Sequence, residues 1–325
     1  MSRRHAGRRA IRAGSGILLL FTLMAILSPL LATDRPLVAR TAEGLEFPAF
    51  AAWPEALIER APAPAPPREE VTFAILAPVP HSPAAIDLRA RLLPPSAAHP
   101  FGTDELGRDL LARVIHGTRI SLLVGFSAAF FSLAIGVLLG ALAGYLGGWV
   151  DALVLRTLEV VVAFPFLVLL LALIAIARPG VWTVITALAI TSWTAEARIV
   201  RGETLRIREA DYAAAARASG AGTARILARH LLPNAIAPVL VSVSFGVSAA
   251  ILVESAISFL GFGVPLPFAS WGSILSTADD YLRQAWWLAL FPGIAIFLTV
   301  AGCNLLGEGL RERLDPRAMP ETTGA

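Results

Sequence analysis

The chain has 325 residues, 56% of them apolar and only 16% charged, with a formal net charge of +3 and a mean hydropathy of +0.69. Soluble domains carry roughly 45–50% apolar and about 25% charged residues, so the composition excludes an ordinary soluble globule and points to a membrane protein. All 27 basic residues are arginine; a phosphate-binding P-loop needs a lysine, so any nucleotide-driven work must come from a partner.

Residues 13–33 form a 21-residue stretch free of charge, preceded by Arg3, Arg4, Arg8, Arg9 and Arg12. A helix crosses the hydrocarbon core with about 20 apolar residues. A secretory signal also starts basic, but its apolar stretch is shorter and ends at a small-residue cleavage site. No such site follows Pro29, so the stretch reads as an uncleaved anchor.

Residues 34–119 balance nine arginines against eleven acids. Within them APAPAPPR, at 61–68, reads as extended and semi-rigid chain. From His99 the sequence runs HPFGTDELGRDLLARVIHGTR. Thr103 is predicted as an N-cap with Asp104 and Glu105 in the first turn. Leu106, Leu110, Leu111 and Val114 then share one face and Gly117 stops the helix, giving an amphipathic helix at the outer interface. The acids here lack EF-hand spacing. His81, His99 and His116 lack metal-ligand spacing and are expected to be solvated, so neither a catalytic residue nor a metal site is predicted.

Residues 120–150 are 31 uncharged positions, with the second span at about 121–145. In it Gly136, Gly140 and Gly144 recur every fourth residue, a spacing that lets two helix backbones approach and that membrane helices also tolerate without such a contact. Asp151, Arg156 and Glu159 precede a third span at 160–177, which Pro165 is placed to kink. The turn Arg178-Pro179-Gly180 leads to a short fourth span at 181–195; the fifth is 231–253 and the sixth 285–306, where Pro292 is a second kink candidate. Residues 255–278 are also uncharged, but Gly261, Gly263, Pro265, Pro267 and Gly272 would free backbone groups that lipid cannot satisfy. That segment reads as re-entrant or external. Arg156, Glu159 and Glu254 fall near predicted span ends and read as interfacial side chains or a packing ion pair. Cys303, the one cysteine, cannot form an internal disulfide and reads as a small packing residue.

Six spans place both termini on one side, and the positive-inside rule makes that side cytoplasmic. The five N-terminal arginines, seven in the 195–233 loop, and Arg311, Arg313 and Arg317 in the tail all agree.

The 195–233 loop carries an alanine-rich helical piece near 209–219, interrupted by Gly220 and Gly222. A second piece, capped by Thr223, ends before Pro233. The small, flat Ala213–Ala216 surface of the first piece, edged by Arg208, Glu209, Asp211 and Arg217, suits docking into a groove on another protein. A solvated loop whose arginines serve topology alone fits the physics equally.

Ala215-Ala216, Gly220 and Leu232-Pro233 resemble the EAA…G…LP loop of the membrane subunits of ABC importers. DYAAAARASGAGTARILARHLLPNAIAPVLV, HPFGTDELGRDLLARVIHGTRISLLVG and ESAISFLGFGVPLPFASWG are similar to the dipeptide, oligopeptide and nickel permease branch, and the likeness runs over residues 100–316. Ala214 stands at the motif's glutamate position and His230 at its isoleucine. The resemblance implies an all-α polytopic membrane protein of six transmembrane helices with the type I ABC importer fold. It divides the chain into an N-terminus with anchor (1–33), an external loop (34–116), a transmembrane domain (117–308, with the coupling loop at 195–233) and a cytoplasmic tail (309–325).

The same resemblance implies a coupling helix that docks into an ATPase cleft through Glu209, Asp211, Tyr212, Ala215, Ala216, Arg217, Gly220, Leu232 and Pro233. Implied partners are two ATP-binding subunits, a second homologous permease, a periplasmic substrate-binding protein and membrane lipid, with no nucleic acid. The chain then holds no cofactor, ATP and magnesium being bound on the partner subunits, and catalyses no reaction itself. The expected role is ATP-driven uptake of peptides across the bacterial inner membrane; nickel or another small solute is the alternative cargo. A self-sufficient secondary transporter would need charges at mid-membrane or inverted repeats. Neither is evident.

Overall fold

A helix of 30 residues, α1 (Ser2–Leu31), leads into a three-stranded antiparallel sheet of order β2-β1-β3, the computed structural model describing residues 2–41, 44–57, 72–209, 232–265 and 268–314. β1 (Pro36–Thr41) pairs with β2 (Gly44–Glu46), Arg40 opposite Leu45, and with β3 (Phe73–Leu76), Ala39 opposite Ala74. Helix α2 (Pro48–Leu57) follows β2. The sheet is an addition to the all-helical reading; among the described residues, everything after residue 109 is helix or connection.

Helix α3 (Leu110–Leu146) has 37 residues, about 55 Å at 1.5 Å per residue. Its start corrects the amphipathic helix expected from Thr103. Residues 99–109 are a turn, Asp109 is the N-cap and accepts the Ala112 N–H at 2.8 Å, and Gly117 lies buried inside the helix rather than ending it. The reason is local. Gly102 and Gly107 take φ of +77° and +72°, a region glycine enters freely, and the Asp104 side chain binds the backbone N–H groups of Leu106 and Arg108. A carboxylate that satisfies backbone donors in this way competes with helix formation.

The expected third span is two helices, α4 (Gly148–Ala163) and α5 (Phe166–Ile176), bent by 92°. Phe164 precedes a proline and is forced into extended backbone, and Pro165 starts the next helix. Helix α6 (Val181–Arg208) carries the predicted fourth span in its first half and continues well past it. Helix α7 (Leu232–Phe259) extends beyond the predicted end of the fifth span. An irregular stretch then leads to α8 (Trp271–Tyr281), whose N-cap Ser270 forms a reciprocal capping box with Ser273. Helix α9 (Trp287–Leu314) contains Pro292. Among the described residues, four helices are long and apolar enough to cross a membrane, or five if α4 and α5 together make one span. Helix α6, which includes Glu196 and Arg198, is not among them.

Two apolar cores hold the bundle. One joins α1, α3, α7, α8 and α9 through Phe21, Val114, Ile251, Trp271, Ile274 and Leu288. The other joins α3, α5, α6 and α7 through Val124, Leu170, Ile185, Leu188 and Ile257. Helices α1 and α9 meet across a glycine seam, where a Cβ at Gly14 would lie 2.5 Å from Gly302 O and one at Gly309 2.8 Å from Gly7 O. Leu20, Phe130, Leu138, Ile176 and Phe297 are exposed, while Ser121, Thr191, Thr299 and Glu254 are buried. That inversion suits an apolar surround.

Candidate functional site

At one end of the bundle, α3 grips α6 through the three glycines at every fourth residue. A Cβ on Gly136 would lie 2.6 Å from Glu196 Cβ, on Gly140 2.5 Å from Ala197 O, and on Gly144 2.6 Å from Thr204 Cβ. Only glycine permits backbones this close. The same stretch of α6 is tied to the start of α4 by a two-pronged ion pair, Arg201 Nε and Nη2 donating to the two Asp151 oxygens at 2.6 and 2.8 Å. Donating to the Asp151 carboxylate raises the Arg201 pKa above its ordinary value. Helix α6 thus reaches Arg208 as a clamped rod. Glu209 stands exposed at its C-terminal end, its N–H bonded to Leu205 O. Leu232 and Pro233 open α7. Asp211, Tyr212, Ala215, Ala216, Arg217 and Gly220, with Ala214 and His230, lie outside the described residues.

Between α3, α6 and α7, with Phe166 of α5, lies a cavity of about 400 Å³. Its polar lining is Ser132, Ser192, Glu196 and Ser242. Glu196 is 9% exposed. Sequence reasoning passed over it because it falls one residue beyond the predicted end of the fourth span and so counted as a loop charge.

At the other end, the HPFGTDELGRD segment is a lock. Asp104, fully buried, accepts from Arg108 Nε at 2.7 Å and from Arg113 Nη1, besides its two backbone donors. Trp287 Nε1 of α9 donates to Thr103 O at 3.0 Å, and Phe101 stacks on Phe291 with centroids 3.8 Å apart. A Cβ on Gly107 would strike Asp87 O. The histidines differ from the solvated residues expected. His99 Nδ1 lies 2.8 Å from Asp109 Oδ2, the His81 ring is 4.6 Å from that of His99, and the three side chains bring donor atoms within 4.8 Å of one another. A chain reversal between residues 81 and 99 makes this set, which no local spacing reveals. His116 Nε2 meets Ala32 O at 2.9 Å.

The charges near predicted span ends also resolve. Arg156 and Glu159 form an exposed ion pair at 2.8 Å. Glu254 is wholly buried rather than interfacial, because α7 continues past it into the bundle. Ser258 Oγ donates to it at 2.7 Å and Ser121 Oγ lies at 3.5 Å, the latter also accepting the Trp271 N–H at 3.1 Å. This node, with Gly272 packed on the Ser255 backbone, joins α7, α8 and α3.

A helical bundle with apolar surfaces outside, and hydroxyls and carboxylates inside, is a polytopic membrane protein. Residues 136–320 match the model of the binding-protein-dependent transport system inner membrane components, and the chain belongs to that family. It is therefore a multi-pass protein of the inner membrane and works with ATPase and substrate-binding partners. It is similar to the dipeptide transport system permease protein DppC of Bacillus subtilis (strain 168), at 44% identity over 73% of this chain and 75% of that one. The probable D,D-dipeptide transport system permease protein DdpC of Escherichia coli (strain K12) is 42% identical over 73% and 80%. Among solved structures, an amino acid ABC transporter with histidines aligns at a TM-score of 0.49 and 19% identity, over 63% of this chain and 95% of that one.

Proposed function

We propose that this chain is the permease subunit of an ATP-driven, binding-protein-dependent importer whose cargo is peptide. The observation that carries the reading is the grip of α3 on α6, which delivers the start of the 195–233 loop from a rigid support. Relatives whose names denote dipeptide transport support peptide as the cargo. In this reading two ATPase subunits hydrolyse ATP with magnesium, and the loop, through Glu209, Asp211, Tyr212, Ala215, Ala216, Arg217, Gly220, Leu232 and Pro233, docks into one of them. A second homologous permease completes the pathway, six spans leave both termini cytoplasmic, and this chain performs no covalent chemistry.

A rod gripped along one side transmits a push at its end into the bundle, whereas a loose loop would absorb it. Gly220→Arg or Gly220→Tyr is expected to leave the complex assembled but to separate ATP hydrolysis from peptide uptake in reconstituted vesicles. Coupled uptake at the parental rate in both variants would remove the docking role. Failure of a tagged chain to co-purify an ATPase would remove the importer reading itself.

A further inference from the structure

The cavity between α3, α6 and α7 contains a carboxylate oxygen that the fold leaves unanswered. Among the described residues, Glu196 Oε2 and Ser132 Oγ are both buried and neither makes a hydrogen bond of normal geometry, although Ser132 is the hydroxyl that approaches the carboxylate. Burying a carboxylate without a partner is costly, and an ionisable group inside a helical membrane bundle marks a functional position with a partner to be named. The basic groups of the same helix do not supply it. Arg201 is engaged by Asp151, and Arg198 is exposed.

The lining indicates what would. Ser132, Ser192 and Ser242 bring hydroxyl acceptors toward the same space, and Phe166 and Phe245 give it apolar walls. A primary ammonium carries three donors and no acceptor, so one carboxylate oxygen and two hydroxyls satisfy it. The aromatic faces add attraction for a cation, and the apolar remainder accepts side chains of varied shape. A volume of about 400 Å³ lies within the roughly 300–1,000 Å³ of small-molecule pockets. The position also fits a moving site. Gly136 packs directly on the Glu196 stem, so a push that moves the gripped α3–α6 pair moves the carboxylate with it.

Resting on the importer reading above, we propose that Glu196 receives the ammonium group of the cargo in transit, making this cavity a site for amine-bearing solutes inside the membrane domain. In the detergent-solubilised whole importer, with Cys303→Ala and Ala249→Cys as a reporter in the cavity wall, a neutral maleimide should label position 249. Alanyl-alanine is expected to slow that labelling, and N-acetyl-alanyl-alanine is expected not to. Glu196→Gln should weaken the protection about tenfold or more, and Glu196→Asp should retain most of it. Protection that persists in Glu196→Gln, protection by the acetylated peptide, equal loss in the Asp and Gln variants, or no protection at all would each overturn the proposal. So would Glu196→Gln complexes that come apart on purification, since the carboxylate would then be holding the assembly. ATP-dependent uptake by the parental complex is scored separately, so the importer reading can stand while this site fails.

Discussion

Asp104 has no exposed surface, and its two oxygens accept from Leu106 N, Arg108 N, Arg108 Nε and Arg113 Nη1. Its neighbour Glu105 makes one ion pair, with Arg108 at 3.0 Å, and keeps part of its side chain in solvent. Two adjacent acids therefore carry very different weight. Breaking a buried pair by removing one partner strands the other charge and costs about 3–5 kcal/mol, whereas a partly exposed pair is worth about 0–1 kcal/mol. Asp104→Asn is expected to lower the thermal stability of the purified complex strongly and Glu105→Gln hardly at all. Equal shifts in the two melting curves would contradict this assignment. In the sequence both residues look like first-turn acids of a helix. What separates them is Arg113, three residues into α3, and Trp287 of α9, which fastens the turn at Thr103. The donors all lie within nine residues, but which of the two acids receives them is set by the fold of the turn at Gly102 and Gly107, not by their spacing.

The period of four in Gly136, Gly140 and Gly144 is visible in the sequence, but the partner of that face is not. The structure places it on α6, where Ala197 and Thr204 come closer than any side chain would allow. Gly140→Ala would drive a methyl group to 2.5 Å from the Ala197 carbonyl oxygen, and forced overpacking costs typically about 1–3 kcal/mol. Gly293→Ala in α9, where a Cβ meets nothing within 4 Å, is the control and should be neutral or slightly stabilising. Unfolding of the two variants in detergent, together with uptake, checks this. A Gly140→Ala protein as stable and active as Gly293→Ala would mean that the seam does not constrain the helices. Pro165 was legible as a kink site, but the 92° bend was not, because a proline sets where a helix breaks and packing sets how far its halves turn. The same limit applies to the α1–α9 seam. Its glycines lie at opposite ends of the chain: Gly7 and Gly14, like Gly302 and Gly309, are seven residues apart, a spacing that puts each pair on one face without naming the partner.

Across the whole molecule, the number of spans turns on α6. Its first half buries Val184, Ile185 and Leu188 among α3, α5 and α7. A helix enclosed by other helices does not present its full circumference to lipid, so it can carry Glu196 and five threonines where a lipid-facing helix could not. Hydropathy alone therefore passes over it, giving five spans with the bent α4–α5 pair, while its place in the bundle supports a sixth. The two counts differ in a measurable way. Five spans put the termini on opposite sides of the membrane, and six put them together. Cys303 is the one native cysteine and is buried, so Cys303→Ala supplies a background for single-site labelling. With an impermeant maleimide on intact spheroplasts, Ala63→Cys is expected to react from outside, and Ser2→Cys and Ala325→Cys only after lysis. A terminus labelled before lysis would fix an odd count or the reverse orientation. Labelling of Ala325→Cys before lysis would also place the 195–233 loop, with its seven arginines, where no cytoplasmic ATPase could reach it.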